Sequence, residues 1–107
     1  MAEIITTTTD TLPGKTVSQV LRIAKGSTIR ARHVGRDIAA SFKNLVGGEI
    51  KSYTQMISQS REEAFNRMIN DAQEAGADAV INVRFVTSMV MQGAAEILAY
   101  GTAVKLK

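Results

Sequence analysis

The sequence predicts an α+β domain, a small sheet packed by two helices, whose copies assemble into a closed ring. Three observations point there. Both ends of the chain follow a two-residue alternation while the middle follows a 3.6-residue period, so strands flank helices. Apolar residues make up 45% of the 107 and charged residues 21%, the balance of an ordinary globular domain rather than a disordered chain. The last two strands carry apolar residues on both parities, so their second face asks for a cover that another copy would supply. The predicted order is β-β-α-α-β-β, with a further short strand at the start.

Ile4 and Ile5 lead into Thr6–Thr9, β-branched residues that suit this short strand. Asp10-Thr11-Leu12-Pro13-Gly14 reads as a turn, with Pro13 fixing φ and Gly14 able to take the positive φ of a type II turn. Thr16–Ala24 and Thr28–His33 read as two strands, interrupted at Lys25-Gly26-Ser27 where the glycine suggests a bulge or tight turn. From about Arg36, Ile38, Phe42 and Leu45 recur at helical spacing, and Gly47-Gly48 ends that first helix. A second helix runs from about Ile50 to Ala75. Its apolar stripe is Tyr53, Met56, Ile57, Ser60, Ala64, Met68, Ala72 and Ala75, widened by Phe65 and Ile69. Glu63 precedes Arg67 by four, a favourable surface pair, and Gly76 caps the end. Asp78–Thr87 is a strand, Ser88–Ala94 a loop, and Ala95–Leu106 the last strand.

The length gives one domain, residues 1–107, able to bury roughly 60–70% of its unfolded surface. With no cysteine there is no disulfide, thiolate metal site or cysteine nucleophile. No apolar run approaches the roughly 20 residues that span a bilayer, and the N-terminus does not read as a signal peptide, so the expected location is the cytoplasm. The net charge is +3, and six basic residues with no acidic one lie between Thr11 and Arg36: Lys15, Arg22, Lys25, Arg30, Arg32 and Arg36.

Several segments, in order and without gaps, carry a resemblance. They are Thr8-Thr9-Asp10-Thr11-Leu12-Pro13-Gly14-Lys15, Gly26-Ser27-Thr28-Ile29-Arg30-Ala31-Arg32-His33 with Gly35-Arg36-Asp37-Ile38, Asn44-Leu45-Val46-Gly47-Gly48-Glu49 with Tyr53, Arg61-Glu62-Glu63-Ala64, Gly76-Ala77-Asp78-Ala79-Val80, and Ala99-Tyr100-Gly101-Thr102-Ala103-Val104. Over nearly its whole length the chain resembles the YbjQ-like family of small bacterial proteins. The resemblance implies a compact α+β fold, assembly with itself as a homopentamer, and binding of a divalent or soft heavy-metal ion.

The residues offer few donors for such an ion. His33 is the only imidazole, and Asp37 lies four residues on. Five copies of His33 near a ring axis could supply what one chain cannot; a histidine packed at a strand end is the favoured alternative. Met89 and Met91 could offer thioethers to copper(I) or silver, although methionines filling a subunit interface explain the pair more simply. Gly47-Gly48-Glu49 could form an anion nest at a helix start, or be only a helix–helix turn with Glu49 stabilising the dipole. Glu49 completes the candidate metal set with His33 and Asp37. Arg30, Arg32 and Arg36, with Arg22 and Lys25, form a basic strip that could take an anion, an acidic partner or nucleic acid. There is little aromatic interleaving to stack bases and no RNA-binding signature, so a solvated face is the favoured reading and nucleic acid is not the expected partner.

No nucleophile–base–orienter set stands out. A Ser-His-Asp reading would have to recruit Ser27 or Ser41 with His33 and Asp37, and their spacing does not support it. The sequence therefore points away from an enzyme. With the resemblance, the expectation is a small homopentameric binding protein holding a metal or small ligand at subunit interfaces. An interaction protein using the basic strip and a bare structural scaffold are the alternatives.

Overall fold

The helix stripe and one sheet face carry the apolar residues of the main core, and burying them against each other sets the architecture. The computed structural model describes residues 3–31, 48–91 and 94–107. Strand β1 spans Ile5–Thr6, β2 Val17–Ala31, helix α1 Gly48–Glu74, β3 Ala79–Met91 and β4 Ala94–Leu106. Among the described residues the strands form one four-stranded sheet in the order β1-β3-β4-β2. β1 is parallel to β3, and the other two pairings are antiparallel. Among the described residues the fold is thus α+β, one helix on a mixed sheet, in the order β-β-α-β-β. The helix predicted from about Arg36 lies outside the described residues.

The predicted break at Lys25-Gly26-Ser27 is not there. β2 runs straight through it, with Lys25↔Tyr100, Gly26↔Ala99 and Ser27↔Leu98 as consecutive pairs. The glycine answers to the helix instead. A β-carbon on Gly26 would meet the Met68 amide nitrogen and lie 2.5 Å from the Ala64 carbonyl oxygen and the Arg67 β-carbon. The helix row Ser60-Ala64-Met68-Ala72 is fully buried over the small residues Ala24, Gly26 and Thr28, whose hydroxyl donates to the Ser60 carbonyl at 3.2 Å. Small residues on both elements bring helix and strand backbones together. Phe65 and Ile69 widen the stripe as predicted. Gly76, at φ +81°, closes the helix through Ala77 N–H to Ala72 C=O and Gly76 N–H to Gln73 C=O, the paired bonds of a Schellman end.

The apolar positions on both parities of β3 have a different cause from the one predicted. Asn82 sits at φ +54°, and the register with β4 shifts between Ile81 and Arg84. Asparagine tolerates the left-handed region through its short polar side chain. The extra residue makes a bulge that switches parity: Val80 faces the helix before it, Val83 and Phe85 after it. Ile81 does point to the second face, and there this chain supplies the cover itself. Ala79, Ile81 and Val104 pack with Leu12, Val17 and Leu106.

That cover is held by the predicted turn. Lys15 N–H donates to Leu12 C=O at 3.0 Å, with Pro13 and Gly14 (φ +76°) between them, a type II arrangement. Thr7 and Thr9 continue the β1 edge past the bulge: Asn82 N–H donates to Thr9 C=O at 3.0 Å and Val83 N–H to Thr7 C=O at 2.9 Å. Ser88–Met91 and Ala94, predicted as loop, are strand residues. β3 extends to Met91, which pairs with Ala94. Pairing of Ser88, Met89 and Met91 with Glu96, Ala95 and Ala94 carries the strand through this stretch.

α1 also protects the outer edge of β2. The Asp71 carboxylate accepts from the Lys25 backbone N–H at 3.0 Å and from Arg22 at 2.7 Å. Arg67, expected from the sequence to pair with Glu63, donates to the Ser27 carbonyl at 2.5 Å. An exposed strand edge is a template for pairing, and these two side chains occupy it. Asp71→Ala is expected to destabilise the fold by about 1–2 kcal/mol, because it frees a backbone donor as well as breaking an ion pair. Arg22→Ala should cost less than about 1 kcal/mol, as surface pairs do. Urea unfolding distinguishes them; equal costs would mean that the ion pair, not the backbone cap, carries the stabilisation.

Candidate functional site

Pairing on β2 and β4 fixes which side chains meet on the sheet face away from the helix. Ala24, Gly26 and Thr28 face α1, so Ile23, Lys25, Ser27 and Ile29 occupy the other face. Their partners across the ladder are Thr102, Tyr100, Leu98 and Glu96. At the β2 edge this face meets Arg67, which reaches round from α1. Together Lys25, Gly26, Ser27, Arg67, Glu96 and Leu98 line an open cleft of about 560 Å³.

The cleft holds two cations and one carboxylate. Arg67 is fixed through one guanidinium nitrogen by the Ser27 carbonyl. Among the described residues neither the Lys25 ammonium nor the Glu96 carboxylate has a hydrogen-bond or ion-pair partner. Leu98 contributes an apolar wall.

The basic strip predicted from sequence divides. Arg22 is engaged by Asp71, donating to both its carboxylate and its backbone carbonyl. Lys25 alone of the described side chains in the strip lines the cleft. Arg30 pairs with Ala95 in β2, and its side chain is outside the described residues, as are Arg32 and Arg36. Of the metal candidates, His33 and Asp37 lie outside the described residues, as does Ser41; Glu49 lies in the first turn of α1, its side chain not described. Among the described residues no three His, Cys, Asp or Glu side chains gather as a metal set. Met89 is 80% exposed on β3, and Met91 ends that strand. Arg67, Glu96 and Leu98 were not among the sequence candidates. They join Lys25 only through the long-range β2–β4 register and the helix crossing.

A second feature lies at the opposite edge of the sheet. The Lys25 N–H points outward from β2, so Tyr100 directs its backbone groups toward β3 and bonds Arg84. Arg84, Val86 and Ser88 therefore face β4, and Phe85, Thr87 and Met89 turn their N–H and C=O groups outward. Among the described residues these outward groups have no partner. The same stretch exposes large apolar side chains, Phe85 at 47% and Val86 at 40%; Ile23 and Ile29 on the open face are 65% and 58% exposed. No described helix is long and apolar enough to cross a membrane.

The chain matches a family described as "putative heavy-metal-binding" over residues 4–107. A UPF0145 protein of Archaeoglobus fulgidus is 59% identical over 105 residues, covering 98% of this chain and 97% of the relative. UPF0145 proteins of Photobacterium profundum and Thermosipho africanus are 56% and 54% identical, covering 92% and 97% of this chain and 96% of each relative. With archaeal relatives present, the family is not only bacterial. A crystal structure of a protein of unknown function from Pediococcus pentosaceus, of the DUF74 family, covers 97% of this chain and 98% of its own at a TM-score of 0.63. At 18% identity that likeness concerns the fold alone.

Proposed function

This chain belongs to the YbjQ-like, UPF0145 family, and from that premise we propose that it is a self-assembling binding module rather than an enzyme. Copies join through the open half of β3 and close into a ring, a homopentamer as the family resemblance implies. A metal ion or small ligand is held where copies meet. The observation that carries this reading is the contrast between the sheet's two edges. Asp71 and Arg67 occupy the middle of the β2 edge. Among the described residues nothing pairs with the β3 edge from Phe85 to Met89, which is bordered by exposed apolar side chains. Long apolar edges favour pairing with another chain. A ring of five needs a head-to-tail contact, so the β3 edge would meet a different surface of its neighbour.

The metal part of the proposal rests on the family description and on His33, Asp37 and Glu49. Equilibrium dialysis of chelator-free protein against zinc, copper, nickel and cobalt tests it. The expected result is retention of at least one of these ions by the assembled protein, lost in His33→Ala. An assembled protein that retains none would leave a scaffold or a binder of other ligands.

A further inference from the structure

We propose that the cleft at the β2 edge binds a small molecule that carries an oxyanion with a hydrogen-bond donor beside it. This goes beyond the assembly reading and needs only one chain, so a failure of either leaves the other standing.

Two cations from different elements converge on the cleft. Arg67 is already immobilised by the Ser27 carbonyl at 2.5 Å, so ordering its long side chain adds little to the cost of binding. One guanidinium N–H is used in that bond, and the planar fork keeps further donors for a carboxylate or phosphate. Lys25 adds a second positive charge that no described group neutralises. A charge-assisted bond to an oxyanion satisfies both.

Glu96 sets the second half of the specificity. It lines the same cleft, has no ion-pair partner among the described residues, and repels any ligand that is anionic throughout. A ligand that fits must present an ammonium, amide or hydroxyl donor to it. Leu98 then accepts a short apolar portion. The volume, about 560 Å³, is in the range of small-molecule sites, roughly 300–1,000 Å³. The ligand class is that of α-amino acids and hydroxylated or amino-bearing phosphate esters.

The test is an amide NMR titration of the full-length, isotope-labelled protein at low salt, with glycine and inorganic phosphate as separate probes. Saturable shifts are expected at Lys25–Ser27 and Glu96–Leu98. Lys25→Gln should weaken both probes roughly threefold to tenfold. Glu96→Gln should weaken glycine but tighten phosphate, since it removes the negative charge that attracts the ammonium and repels the anion. Lys25 and Glu96 both reach the surface, and an unchanged spectrum away from the cleft verifies that each variant is folded. Glycine binding without phosphate binding assigns the carboxylate source, and the converse assigns the phosphate source. The proposal is overturned if neither probe gives saturable shifts up to about 10 mM, if the shifts fall elsewhere, or if Lys25→Gln leaves both affinities unchanged.

Discussion

Gly26→Ala is expected to destabilise the protein by about 3 kcal/mol, the upper end of what one added carbon costs in a packed interior. The added carbon would press on the backbone of α1 at Met68 and Ala64, and backbone cannot rotate away as a side chain can. Relief requires the helix to lift from β2, which opens the contacts of Ala24, Ala64 and Met68 together. Gly14→Ala provides the comparison. A β-carbon there has no atom within 4 Å, and only its φ of +76° opposes a side chain, so the expected cost is about 1 kcal/mol. Urea unfolding measures both, with an unchanged slope showing that stability rather than the unfolded state has changed. Equal midpoints for the two variants would mean that the close approach of helix and strand is not what requires Gly26.

If copies join through the β3 edge as proposed, Thr87→Pro is expected to give folded monomers. The Thr87 N–H points away from β4, so proline removes no bond of the chain's own sheet. Such edge positions are where strands accept proline. The monomer should lose only about 1 kcal/mol, for a φ drawn toward the proline value. A neighbouring strand docked on this edge would lose a donor and meet the ring. Ser88→Pro is the control. Ser88 pairs with Glu96 in β4 and turns its N–H inward, so the same ring there should cost about 3 kcal/mol and unfold the hairpin. Size-exclusion chromatography with light scattering and circular dichroism reads both outcomes. A Thr87→Pro protein that stays assembled would place the contact elsewhere, on the open face at Ile23 and Ile29.

Local chemistry made much of the fold legible. The i, i+4 row from Ser60 to Ala72 identified the helix face, and Pro13-Gly14 identified the turn. Glycine was the ambiguous letter. At Gly26 a close approach and a chain break look the same in sequence, because the helix that decides between them lies some forty residues away. The mixed parity of Val80, Ile81, Val83 and Phe85 had the same difficulty, since a parity switch at a bulge imitates burial on both faces. Asn82 was the available clue, an asparagine inside an otherwise β-forming run. The cleft was less legible still. Lys25 stood out only as one of several basic residues, and nothing near it in sequence announces Arg67 or Glu96. Strand register and helix crossing bring them together.

Self-assembly is the claim on which the functional account turns, and native mass spectrometry of the untagged wild-type protein, purified without chelator, tests it most directly. The account predicts a single closed oligomer of five copies, any retained metal appearing as added mass. A monomer at the concentrations where the protein is folded would contradict it, and would leave the β3 edge without the partner assigned to it.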